Sequence, residues 1–163
     1  MTSKSRKQDR DGPYRRIIAR NKRARHDYAV EQTYEAGLML LGSEVKTLRG
    51  GKASIKEAHA RIRRGEAWLL NCNIPEYSFS NQFNHAPKRE RKLLLHRSEL
   101  RKLEAKTKIG GYTLVPLEIY FDERGKVKVL IGLARGKRQH DKRQSLRLAE
   151  HEREMGRQAR ETD

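Results

Sequence analysis

The stretch YTLVPLEIYF-DERG-KVKVLIGLA, residues 112–134, decides the fold. In its first half the odd positions Thr113, Val115, Leu117, Ile119 and Phe121 are mostly apolar, and in its second half Val127, Val129, Ile131 and Leu133 repeat the pattern. Alternation with period two places one apolar face on each of two strands. The DERG segment between them suits a type I turn closed by Gly125, so the two strands form a hairpin. Pro116 has no N–H to donate, which predicts an edge strand or a weak point in the pairing.

Immediately before the hairpin, HRSELRKLEAKTKIGG (96–111) predicts a helix, with Ser98 as its cap, Leu100 and Leu103 on one face, and Gly110-Gly111 at its end. PEYSFSNQFNHAPKRERK (75–92) mixes aromatic and polar residues without a period and reads as a loop or edge segment. AHARIRRGEAWLLNCNI (58–74) holds two apolar runs around Arg64-Gly65, a second hairpin. Further back, DYAVEQTYEAGLML (27–40) alternates through Tyr28, Val30, Tyr34, Ala36 and Leu38, a half-buried strand. LGSEVKTLRGG (41–51) follows as a short helix with Ser43 as its cap. Five to seven strands and two short helices without βαβ alternation predict a mainly β fold, a small antiparallel barrel.

The ends of the chain differ from this middle. Residues 1–25 carry ten Lys/Arg against two Asp, and residues 1–20 read as a disordered basic arm. After Ala134, residues 135–147 hold six Lys/Arg and one Asp, whereas 148–163 hold three Arg and five acids. Leu146, Ala149 and Met155 give this tail only a thin apolar stripe, so it is expected to be disordered when free. The domain then spans 21–134, with an arm at 1–20 and a tail at 135–163.

The whole chain of 163 residues has a net charge of +17, with 36% charged and 35% hydrophobic residues. Such charge costs self-repulsion unless a polyanion neutralises it. RNA or DNA is the leading partner, because each phosphate neutralised releases counterions. No apolar run reaches the roughly 18 residues of a membrane span, and no apolar stretch follows the N-terminal charges as in a secretory signal. A single cysteine, Cys72, excludes a disulfide framework. The expected location is the cytoplasm.

NKRARHDY (21–28) reads as a phosphate-gripping cluster and PKRERKLLLHRSELRK (87–102) as a second one, with Arg89, Arg91, Lys92 and Arg97 able to line a groove. Tyr77, Phe79, Phe83, Tyr112 and Tyr120 are candidates for base stacking or for plain packing; Tyr112 and Tyr120 share the hairpin face opposite the apolar one. Glu35 stands on the outward parity of its strand, either in an ion pair or as an acceptor for RNA. The pairs His26-Asp27 and His140-Asp141 are adjacent in sequence, and neighbours on a strand point to opposite faces. With no nucleophile motif, metal-ligand spacing or paired carboxylates, no enzyme, metal or cofactor is expected. Two rivals remain from composition: a general RNA-binding or ribosome-associated barrel protein, and an RNA-processing enzyme using His26 or His140.

The stretches NKRARHDY, YEAGLMLLGSEVKTLRGGKASI, RKLLLHRSEL, GYTLVPLEIYF and KVKVLIGLARGKRQHDKR together resemble the SsrA-binding protein family, SmpB, from Asn21 to Arg143. The resemblance implies an oligonucleotide-binding-type barrel with two or three short helices. It also implies binding to the tRNA-like part of transfer-messenger RNA and delivery of that RNA to stalled ribosomes in trans-translation, by a monomer. Carried over by position, Asn21, Lys22, Arg23, Arg25, Glu35, Arg91, Lys92, Leu95, Lys137 and Arg138 would contact RNA. Gly136, Gln139, His140, Asp141, Lys142, Arg143 and Met155 would lie in the tail that probes the decoding site and the empty message channel. Gly156 costs about 1 kcal/mol in a helix relative to Ala, so the tail helix is expected to stop near Met155.

Overall fold

The computed structural model describes residues 15–79, 84–137 and 139–161, without the side chains of 139–142, 145 and 159–161. The elements run β1 (Arg16–Arg20), α1 (Ala24–Asp27), β2 (Tyr28–Leu38), α2 (Gly42–Arg49), β3 (His59–Arg63), β4 (Glu66–Leu70), β5 (Arg91–Leu94), α3 (Arg97–Lys108), β6 (Tyr112–Phe121), β7 (Val127–Gly136) and α4 (Gln139–Glu161). Strand order is β1-β6-β3-β4-β5-β2-β7, and β6 also pairs with β7, which closes six strands into a ring with β1 added outside it. All of these pairings are antiparallel, so the small mainly β barrel expected from the sequence is what forms.

The hairpin of 112–134 stands at the centre, and β6 is not an edge strand. One side of β6 follows β7 throughout; the other meets β3 at Leu114 and β1 from Glu118 to Phe121. Pro116 sits where β6 changes partners, beside a register shift between Pro116 and Glu118. A missing N–H is tolerated at such a bulge.

That bulge, with a matching shift between Val30 and Gln32 on β2, changes which side chains face inward. The period-two reading put all of the apolar parity on one face. Instead, Leu114, Ile119 and Phe121 of β6 join Ala36 and Leu38 of β2 in the barrel interior, with Val129, Ile131 and Leu133 of β7. Val115 and Leu117 form a second, outer cluster with Ala24, Ala134, Tyr28, Val30 and Leu130, beneath α1. An extra residue on one strand flips every later side chain to the opposite face. The same flip separates the two tyrosines: Tyr112 packs on the interior cluster, while Tyr120 pairs in register with outward Lys128.

Arg16–Arg20, expected within the disordered arm, is a strand on β6, and Ile18 packs against the interior cluster. Both helix caps fall earlier than the serines. Leu41 and His96 precede α2 and α3, and their N–H groups donate to Glu44 Oε1 at 2.9 Å and Glu99 Oε2 at 3.3 Å. A carboxylate three residues into the helix thus fixes each start. The tail helix runs through Gly156 to Glu161 instead of stopping near Met155.

Candidate nucleic-acid interface

The outer face of β2, β7, β6 and β1 brings the α1 cations and Glu35 to one side of the sheet. Glu35 pairs in register with Leu130, which belongs to the outer cluster beneath α1, so Glu35 and α1 lie on the same side of the sheet. Seven residues of β2 separate Tyr28 from Glu35, roughly 24 Å along the strand. A basic end and a cleft end therefore share one face.

At the basic end, Asn21 links β1 to α1: its N–H donates to Leu117 O at 2.8 Å and its amide to Ile55 O at 3.4 Å. That fixes the turn from which Lys22, Arg23 and Arg25 project into solvent, while Ala24 is buried beneath them. His26 and Asp27 lie in this one-turn helix rather than on a strand, and their side chains meet, Nδ1 to Oδ1 at 3.0 Å. Lys137 N–H donates to Asp27 O at 3.1 Å, so the tail leaves the barrel beside α1, one residue beyond Gly136. Arg143 and Met155 are exposed on α4. Arg138 lies outside the described residues, as do the side chains of Gln139, His140, Asp141 and Lys142, although the backbone of 139–142 is helical.

At the other end is a cleft of about 630 Å³ lined by Glu35, Gly37, Leu94, Leu95, Lys126 and Lys128, among others. Glu35 and Leu95, sixty positions apart in the sequence, both line it. A Cβ on Gly37 would come within 3.2 Å of Leu94 Cβ, so glycine permits β5 to close on β2. Leu94 is about half exposed, as are nearby Met39 and Leu41. An apolar floor with one carboxylate and two ammonium groups suits an unstacked base with its phosphate.

The carboxylate of Glu35 is held from below. Tyr120 is fully buried, yet its hydroxyl donates to Glu35 Oε2. The Arg15 guanidinium lies 4.6 Å from the Tyr120 ring centroid and 3.8 Å from the same carboxylate oxygen. Burial, then the bond to Glu35, pushes the Tyr120 phenol well above the ordinary tyrosine range, so it stays a donor. Arg15, Lys126 and Lys128 were missed as site residues, and Tyr120, a candidate for base stacking, instead holds Glu35. Lys128 could have been found from its outward parity between Val127 and Val129; Tyr120 keeps the face expected of it, and the bulge turns Tyr112 inward instead.

The second basic cluster does not form the expected groove. Arg91 is fully buried and belongs to an internal polar knot: it donates to Glu44 through Nε, and to the carbonyls of Cys72 at 2.7 Å and of Arg89 and Pro87 at 3.0 Å. It cannot reach RNA. Arg89 donates to the other oxygen of Glu44, Lys92 pairs with Glu66 at 2.8 Å, and Arg97 is exposed. Burial alone would raise the Glu44 pKa, but bonds from Arg89, the Leu41 N–H and Arg91 hold it below the usual carboxylate range. His85, also buried, bridges Ser43 Oγ and Ile74 O at 2.9 and 2.8 Å.

Among the aromatics, Tyr112 is bracketed by Arg135 at 4.1 Å and Lys106 at 5.5 Å, and its hydroxyl donates to Glu31 at 3.1 Å. Tyr77 and Phe79 stack edge to face at 5.6 Å, with Phe79 largely exposed. Phe83 lies outside the described residues. Among the described residues no group of His, Cys, Asp and Glu could hold a metal ion, and no helix is long and apolar enough to cross a membrane.

Comparison with known proteins places this geometry. A family model described as SmpB protein matches residues 18–161. The SsrA-binding protein of Thermobifida fusca is 55% identical over 159 residues, which cover 97% of this chain and 98% of that one. The SsrA-binding protein of Symbiobacterium thermophilum is 52% identical over 143 residues, covering 88% and 90%. A solved structure described as "tmRNA-SmpB: a journey to the center of the bacterial ribosome" is 51% identical, with a TM-score of 0.63 over 79% of this chain and 94% of that one.

Proposed function

The chain belongs to the SmpB family of SsrA-binding proteins, and on that premise we propose that it binds the tRNA-like part of transfer-messenger RNA and brings it to stalled ribosomes in trans-translation. The observation that carries the reading is the single outer face joining exposed Lys22, Arg23 and Arg25 to the cleft of Glu35 and Leu95. Such a face grips a folded RNA by shape. The α1 cations neutralise phosphates at one end of the face, and the cleft, roughly 24 Å of strand away, takes an unstacked nucleoside. No bond in the RNA is made or broken.

The tail is the ribosomal limb in this proposal. The described side chains of α4 are exposed, and the helix carries Gly156 in its interior. A helix with propensity alone is marginal in water. It would order where rRNA walls attract the basic stretch 135–147, and a message occupying the channel would exclude it. Gly136 through Arg143 then meet the decoding site.

RNA recovered with the tagged protein from cells tests the reading. Transfer-messenger RNA should dominate, and its affinity should fall steeply as salt rises. A spread of rRNA fragments without enrichment would instead favour a general RNA-binding protein. A flat salt profile would remove phosphate contacts as the main source of binding.

A further inference from the structure

We propose that Tyr120 is a positioning residue for Glu35, locking its carboxylate so that the cleft recognises a hydrogen-bond donor on the RNA, an exocyclic amine or a ribose 2′-hydroxyl. The inference rests on the cleft being the RNA site.

Glu35 stands on a strand, with its side chain 45% exposed. A carboxylate in that position would ordinarily sample several rotamers, and near a polyanion it would be driven away from the RNA. Three features oppose this. The backbone of Glu35 is held by the β2–β7 ladder opposite Leu130. The Tyr120 hydroxyl, on a ring that is itself fully buried, fixes Oε2. Arg15 lies against the same oxygen and over the same ring, so one cation offsets the carboxylate charge from the side away from the cleft.

Oε1 then accepts no hydrogen bond among the described residues, and the side chain lines the cleft with Leu95, Lys126 and Lys128. An ionised carboxylate is acceptor-only. It repels phosphate and accepts from N–H or O–H, whereas the two lysines take the phosphate. The site thus sorts donors from anions within one cleft. Because the phenol is held protonated by burial, its hydroxyl remains a donor throughout the neutral pH range.

A double-mutant cycle on the full chain tests the proposal, using transfer-messenger RNA binding at fixed salt with Tyr120→Phe, Glu35→Ala and the pair. Tyr120→Phe keeps the buried ring and removes only the hydroxyl. It should weaken RNA binding about tenfold, the scale of one hydrogen bond to a charged group. In the Glu35→Ala background the same change should cost less than about twofold, because nothing is left to position. The slope of affinity against salt should not change, since no phosphate contact is removed. If Glu35→Ala leaves affinity unchanged, the cleft is not the RNA site. If Glu35→Ala weakens binding but Tyr120→Phe has no effect, or the two effects multiply, the site stands and the positioning role falls. Affinities are compared well below each variant's melting temperature, where both are folded.

Discussion

Replacing Arg91 with alanine should unfold the barrel sooner without weakening the folded protein's grip on RNA. Arg91 carries a guanidinium with no solvent exposure, bonded to Glu44 and to the carbonyls of Cys72, Arg89 and Pro87. Its removal leaves Glu44 buried with Arg89 as its remaining charged partner and strips donors from three carbonyls. Breaking a buried ion pair from one side costs about 3–5 kcal/mol, and each lost hydrogen bond to a buried acceptor about 1 kcal/mol. Arg89 offsets part of this by staying on Glu44, so the net is about 3–5 kcal/mol. For a folded region of this size each kcal/mol lowers the melting temperature by roughly 4 °C. The expected shift is therefore about 12–20 °C, read by circular dichroism at pH 7. Transfer-messenger RNA binding, measured at 10 °C where the variant is still folded, should stay within about twofold of the parent. A melting temperature within about 3 °C of the parent, together with a loss of RNA affinity, would refute the reasoning and return Arg91 to the RNA surface.

Cys72 is fully buried, and burial, with opposing contributions from Arg91 and Glu44, pushes its thiol up to about 11. It should resist alkylation at pH 8 in the native protein and react promptly in denaturant; rapid native labelling would contradict its burial. The depressed Glu44 carboxyl contributes stability that is present above its unfolded value near 4.5 and is lost as pH falls through the folded one. The urea midpoint of the parent should therefore exceed that of Glu44→Gln at pH 6, and the gap should narrow as pH falls below about 4.5; a gap independent of pH would remove Glu44 as the titrating group. Ending the chain after Lys137 removes no described buried side chain. Its melting temperature should stay within about 2 °C and its RNA affinity near that of the parent, while ribosomal rescue is lost; a truncated protein that unfolds would mean the tail is part of the domain.

The sequence by itself determined the two hairpins, the long strand β2, the two short helices and the mainly β class, because those depend on local periodicity and turn residues; it did not show β1 or the residues that cap the helices. Its long ordered matches to one family also determined which family the chain belongs to. It put Glu35 on an outward parity and Leu95 at the end of a three-leucine run, and it identified the basic segment that α1 presents. Only the tertiary structure decided which face each side chain takes. Two register shifts, beside Glu31 and beside Leu117, reverse the parity of β2 and β6 partway along, and a bulge is set by pairing with β7 that no local pattern records. The same holds for charge. Arg91 and Lys22 look alike in sequence, but one is paired with a carboxylate forty-seven residues away and sealed inside, while the other stays in water. Burial and partner choice are long-range properties of the closed ring, and they decided which cations remain free to meet RNA.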